Sequence, residues 1–145
     1  MVIRLEEPSD VAQVREVNDL AFGTTTESRL VDALRDAPGS ISMVAATGSR
    51  VIGHILFTPV TIEPANATRV AGLGPMSVRP EFQRAGVGSR LVQSGLDECR
   101  RRGYRAVVVV GHPEYYPRFG FVPAHTKGLR CEFPVPPEVF MVLEL

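Results

Sequence analysis

Between Met76 and Val92 the chain reads Met-Ser-Val-Arg-Pro-Glu-Phe-Gln-Arg-Ala-Gly-Val-Gly-Ser-Arg-Leu-Val. An apolar run ends at Arg79-Pro80. A loop then carries Gln83, Arg84, Ala85, Gly86, Val87 and Gly88, and helical spacing sets in near Ser89. A strand–loop–helix unit of this kind points consecutive backbone N–H groups at one place, and the positive pole of the helix adds to the field there, which suits a diphosphate. Gly86 and Gly88 carry no Cβ to keep a phosphate away from the backbone. The Gly-Lys-Ser/Thr of a Walker loop is absent. A dinucleotide fingerprint wants three glycines opening a run of βαβ units, which this loop, about halfway along a short chain, does not match. Taken alone, the loop leaves two readings open: a phosphate site, with ATP or NAD as alternative ligands, and a plain strand–helix turn.

A second cluster follows at Glu114-Tyr-Tyr-Pro-Arg-Phe-Gly-Phe121. The stretch from Val78 to Gly88 resembles the acetyl-CoA-binding motif of the GNAT superfamily of N-acetyltransferases, Gln/Arg-x-x-Gly-x-Gly/Ala after a strand. Tyr116, four residues before Gly120-Phe121, resembles that superfamily's second signature. The two occur in the right order, and the resemblance runs over nearly the whole chain. It implies acetyl-CoA as co-substrate, no metal, and transfer of the acetyl group to a primary amine by direct attack in a ternary complex. The acceptor would be a small molecule or a peptide.

The resemblance also assigns roles. Backbone N–H groups of Arg84, Ala85, Gly86, Val87, Gly88 and Ser89 would hold the diphosphate, with Gln83 part of the motif and Arg84 adding charge. The free strand edge at Met76, Ser77 and Val78 would pair with the amides of pantetheine as an added strand does. It would also offer N–H groups to the oxyanion. Tyr116 would be the general acid, since a phenol stays protonated at neutral pH; adjacent Tyr115 is its confounder. Many members place a glutamate on the strand before the loop, where this chain has Gly74-Pro75-Met76. Candidate bases are Glu27, His54, His112, Glu63 and Glu81, or a water chain. Glu27, at the start of a helix that would border the acceptor, is put forward as base or acceptor-site residue. His54 is expected to face the sheet surface. No cysteine stands where an acetyl-enzyme nucleophile would be needed. A catalytically inactive acyl-CoA-binding sensor or interaction module is the alternative. Small members are often homodimers.

The elements that must position these residues are legible in the spacing. A strand over Val2–Leu5 precedes a helix started by Ser9 or Asp10, with Val11, Val14, Val17 and Ala21 on its inner face and Gly23 ending it. Thr26 is expected to cap a second helix that buries Leu30, Leu34 and Ala37, with Pro38-Gly39 as its stop. Strands over Ile41–Ala46 and Val51–Ile62 flank a hairpin loop at 47–50. A strand over Arg69–Val78 contains Pro75, which marks a bulge or an edge. The helix over Ser89–Arg102 buries Leu91, Val92, Leu96 and Cys99. Its Arg100-Arg101-Arg102 end suits the negative pole, with a contact to the CoA 3′-phosphate as the alternative. Ala106–Val110 is a β-branched run, the mark of a strand buried on both faces and joined to Val78 by a right-handed crossover. Pro113–Phe119 reads as a short helix and Val139–Leu145 as a closing strand. The expected fold is α/β: a GNAT-like mixed, mostly antiparallel sheet with helices on both faces and a splayed parallel strand pair at the CoA slot. Segments 23–28 and 125–137 are expected to shape the acceptor pocket.

Composition sets the outer bounds. The 145 residues suffice for one domain, 1–145, and not for two ordinary ones. Sixteen basic and sixteen acidic side chains cancel, so bulk charge gives no case for nucleic acid or a membrane surface. No apolar run is long enough to span a bilayer, and the N-terminal residues lack signal-peptide form, which points to the cytoplasm. Cys99 and Cys131 form no metal or disulfide pattern.

Overall fold

The computed structural model describes residues 1–61, 69–130 and 134–145. Seven strands form one sheet in the order β1-β2-β3-β4-β5-β7-β6. They are β1 (Val2–Leu5), β2 (Ile41–Thr47), β3 (Arg50–Val60), β4 (Val70–Val78), β5 (Ala106–Val110), β6 (Val122–Pro123) and β7 (Phe140–Glu144). All neighbours pair antiparallel except β4 and β5. Helices α1 (Val11–Phe22) and α2 (Thr26–Leu34) cover one face, where Val14, Val17 and Val31 pack on Val44, Val51 and Leu56. Helix α3 (Val87–Arg101) covers the other, where Val87, Leu91, Val92, Leu96 and Cys99 pack on Ile55, Phe57, Val107 and Val109. Alternation along the strands divides the apolar residues between the two cores. The expected mixed sheet with helices on both faces is what forms.

The parallel pair is the feature that makes a site. β4 and β5 are in register only at Val70–Ala106, Ala71–Val107 and Gly72–Val108. Beyond Gly72 the β5-facing edge of β4 has no ladder partner among the described residues, and the strands part. On its other edge β4 stays paired to β3, but the register steps from Ile55–Met76 to Phe57–Leu73, which leaves Gly74-Pro75 as a bulge opposite Leu56. A bulge bends and twists the strand that carries it, so the irregularity expected at Pro75 sits where β4 leaves β5.

The close fit of α3 on the sheet rests on Gly95. A Cβ there would lie 2.2 Å from Cε2 of Phe57, itself fully buried. Gly95→Ala is expected to destabilise the fold by about 1–3 kcal/mol through overpacking, read as a fall of several degrees in the unfolding midpoint. Gly95→Ala together with Phe57→Leu should recover part of it.

Four sequence expectations are corrected. Leu30 is exposed, and Val31 takes the inward place. The hydroxyl of Ser28 donates to Asp19 Oδ1 at 2.6 Å, and Val31 packs with Val14 and Val17, so the 28–31 stripe of α2 faces inward. α2 begins at Thr26 with Thr25 as its N-cap, and Thr25 makes no side-chain capping bond. Pro113–Phe119 is not a helix but a turn followed by a 3₁₀ turn at Tyr116–Phe119, because Pro117 has no N–H to continue a ladder, and the N–H groups of Tyr115 and Tyr116 both donate to His112 O. β3 ends at Val60, and Ile62, Glu63 and Cys131 lie outside the described residues. The short strand β6 was not expected from the sequence. It places β7 between itself and β5.

Candidate active site

The loop after β4 is built by backbone shape rather than by side-chain caps. Pro80–Phe82 makes a 3₁₀ turn, and Gln83 Nε2 reaches back to donate to Val78 O at 3.0 Å, tying the loop to the strand end. Arg84 (φ 62°) and Gly86 (φ 86°) both adopt the left-handed conformation. Gly86 is the N-cap of α3 and supplies no side-chain oxygen. The first rung of the helix is Arg90 N–H to Gly86 O at 3.1 Å, so the N–H groups of Val87, Gly88 and Ser89 project from the helix start without intrahelical acceptors. A left-handed arginine costs about 1–3 kcal/mol of local strain, and such strain is retained where the surrounding structure uses it.

A cleft of about 660 Å³ runs from this helix start into the gap between β4 and β5. Met76 and Val78 line one wall, and Arg84, Gly86, Val87, Gly88 and Ser89 line the mouth. His112, Tyr115, Tyr116 and Arg118 line the opposite side. Ser77 and Ala85 do not line it. Ser77 is buried on the opposite face of β4, as alternation along a strand requires. Among the described residues the wall contains no aspartate or glutamate and two arginines.

Tyr116 is 7% exposed, its ring packed edge-on to Phe121 with centroids 5.6 Å apart and to Tyr115 at 5.1 Å. Gly111 makes room for it: a Cβ there would stand 2.4 Å from Cε2 of the ring. Burial, and secondarily Tyr115, push the Tyr116 phenol up to about 12. Tyr115 differs in its partners. Its hydroxyl lies 3.1 Å from Ser89 Oγ in the first turn of α3, and the Arg118 guanidinium sits 4.4 Å from its ring centroid.

The candidate bases scatter. His112 lines the cleft and is exposed. Glu81 faces outward and pairs with Arg50 at 3.3 Å. Glu27 is in the first turn of α2, accepts from Thr24 Oγ1 at 3.1 Å, and does not line the cleft. His54 is corrected most sharply. It is fully buried under α1, not on the sheet surface. Its Nδ1 lies 3.4 Å from Asn18 Nδ2 and its Nε2 lies 2.8 Å from Ser42 Oγ, which donates to Glu6 Oε1 at 2.7 Å. Those roles put the proton on Nε2. Burial, and then the charge of Arg35, lower its pKa to about 3, so it stays neutral. It does not line the cleft. Cys99 is fully buried in the core, its thiol pushed up by burial to about 12. Arg100, Arg101 and Arg102 pair with Asp97 and Glu98 at the far end of α3 from the loop. Sequence reading missed Phe82 and Arg118 as wall residues; Arg118, three positions after Tyr115 in a tight turn, was the available signal.

The family model described as an acetyltransferase (GNAT) domain matches residues 2–124. The chain belongs to the GNAT acetyltransferases. This GNAT chain is 38% identical over 139 residues to the uncharacterized N-acetyltransferase YjhQ of Escherichia coli K12, covering 92% of this chain and 77% of that protein. Among solved structures, the E. coli GNAT-family N-acetyltransferase YhbS in complex with CoA superposes with a TM-score of 0.91 at 32% identity. That match covers 99% of this chain and 80% of that one. A GNAT-family acetyltransferase from Brucella melitensis in complex with acetyl-CoA gives 0.81 at 37% identity, covering 99% and 86%. No helix among the described residues of this GNAT chain is long and apolar enough to cross a membrane.

Proposed function

We propose that this protein transfers an acetyl group from acetyl-CoA to a primary amine by direct attack within a ternary complex. The observation that carries the reading is the cleft. It begins at three free helix-start N–H groups, follows an unpaired strand edge and ends at a tyrosine, with arginines and, among the described residues, no acid in its wall. The diphosphate would lie on Val87, Gly88 and Ser89 N–H with Arg84 beside it. Pantetheine would run along β4 past Met76 and use the backbone edge that β5 leaves free. Relatives solved with CoA and with acetyl-CoA support the donor.

The chemistry then follows from the residues at the end of the slot. The neutral amine attacks the thioester carbonyl carbon, the oxyanion is held by strand N–H groups, and the C–S bond breaks as Tyr116 hydrogen-bonds to the departing sulfur. The nitrogen releases its proton and the thiolate ends as a thiol. The burial of Cys99 disfavours a cysteinyl intermediate at that position. We propose that the acceptor enters from outside the cleft wall, with Glu27 at the start of α2 as the candidate to hold or deprotonate a cationic amine.

Thermal unfolding with acetyl-CoA, CoA, ATP and NAD tests the reading. A ligand bound only by the folded state adds about 2.7 kcal/mol at a hundredfold excess over its dissociation constant. A rise of several degrees with both CoA compounds and none with NAD is expected, followed by free thiol release on adding amines. No shift with CoA compounds would remove the basis of the proposal.

A further inference from the structure

Arg118 is a cation with no carboxylate partner among the described residues. Among the described residues, Arg4, Arg35, Arg79, Arg100, Arg101 and Arg102 all reach carboxylates; Arg84 and Arg118, the two arginines of the cleft, have none, as is also true of Arg29, Arg69, Arg90 and Arg105 outside it. The Arg118 guanidinium is nevertheless held in place. Its Nε donates to Tyr115 O at 2.9 Å, and its Cζ lies over the Tyr115 ring, 4.4 Å from the centroid. The ring in turn is anchored by its hydroxyl, 3.1 Å from Ser89 Oγ at the helix start. With Nε occupied by a carbonyl, both Nη groups remain to make a bidentate contact. A guanidinium fork matches phosphate geometry, and stacking on an aromatic face removes most of the rotamer freedom it would otherwise lose on binding.

We infer that Arg118 is a phosphate-binding residue that sets cofactor specificity, and that Tyr115 and Ser89 are its positioning residues across the mouth of the slot. The inference rests on the acetyl-CoA reading above and lies outside the glycine loop that carries the backbone contacts. CoA offers two phosphate sources to such a fork, the diphosphate and the 3′-phosphomonoester of the ribose. The side-chain arrangement selects phosphate over the uncharged remainder of the molecule.

Calorimetric titration of CoA, 3′-dephospho-CoA and pantetheine into wild type, Arg118→Gln, Arg118→Lys and Tyr115→Phe tests it. Arg118→Gln is expected to weaken CoA about ten- to a hundredfold, the worth of a charge-assisted pair, and to leave pantetheine unchanged. Loss confined to CoA assigns the 3′-phosphate; equal loss for CoA and dephospho-CoA assigns the diphosphate. Arg118→Lys should keep part of the affinity, because it keeps the charge and loses the fork. Tyr115→Phe should show a smaller loss on the same ligands. Weakening that extends equally to pantetheine would mean a structural role and overturn the inference, as would unchanged CoA affinity in Arg118→Gln. Wild type that binds no CoA compound would instead sink the acetyltransferase reading on which the inference stands.

Discussion

Tyr116→Phe is expected to lower kcat by about 10²- to 10⁴-fold, the usual worth of a positioned proton donor, with acetyl-CoA affinity nearly unchanged. The substitution removes one oxygen and leaves the ring in its contacts with Phe121 and Tyr115, so the fold has no reason to change. Burial holds the phenol at about 12, and the hydroxyl is therefore protonated through the whole working range of the protein. Complete proton transfer from such a phenol to a free thiolate, with an ordinary thiol pKa of about 8.5, is uphill. The hydroxyl must act while the C–S bond is breaking, by a hydrogen bond that strengthens as charge gathers on sulfur. An acetyl thioester of a more acidic thiol needs that help less, and the penalty of Tyr116→Phe should shrink with it. Tyr115→Phe should show the opposite split, a weakened cofactor with kcat largely kept. Equal kcat in Tyr116→Phe and wild type would end the assignment of the acid.

The second large effect is on stability. As the pH falls from about 6.5 towards 3, folding should lose roughly 4–5 kcal/mol through His54 alone, at about 1.4 kcal/mol for each pH unit crossed. The folded histidine titrates near 3, below its ordinary 6.5, because burial and the Arg35 charge oppose its protonation. Between those two values the unfolded chain binds a proton that the folded chain refuses. The stabilisation is therefore complete above 6.5 and lost on acidification. Asp10, Glu16, Asp32 and Glu98 also have lowered values, but their ordinary values are 3.8 for the aspartates and 4.5 for the glutamates, so the interval between 6.5 and about 5.5 isolates the histidine. Urea unfolding at half-unit pH steps in wild type and His54→Gln measures it. The variant should be less stable at pH 7, having disturbed the bonds to Ser42 and Asn18, yet nearly flat across that interval. The same slope in both would assign the acid sensitivity elsewhere.

The fold was largely legible because its signals are periodic. The β-branched run at Ala106–Val110 and the stripe of α3 gave element type and facing directly. What escaped has physical causes. Leu30 and Val31 are adjacent apolar residues, and tertiary contacts, the Ser28–Asp19 bond and the packing of Val31 with Val14 and Val17, accompany the one that turns inward. β6 is two residues long, too short for any alternation to show. His54 looked like a surface residue because its partners Asn18 and Ser42, and the Glu6 that Ser42 reaches, come from three separate parts of the chain. At the site, the glycine loop and Tyr116 could be picked out because motifs preserve spacing, and the structure puts them on one cleft. Ser77 and Ala85, picked by the same spacing for their backbone groups, do not line the wall, because the side chains of neighbouring residues in a strand or loop point different ways. The wall position of Arg118 and its stacking on Tyr115 depend on how a 3₁₀ turn folds back over α3, which spacing does not encode.

Three residue pairs join β4 to β5, and among the described residues they are the ladder that connects a four-stranded half-sheet to a three-stranded one. Mechanically the sheet is two stiff plates with a short seam. Each plate is braced by its own antiparallel ladders, and helix α3, packed on Ile55 and Phe57 of one and on Val107 and Val109 of the other, bridges them, so the gap beyond Gly72 is spanned by a helix and not by a ladder. An extended molecule carrying amides, laid along β4, would act as a strut in that gap.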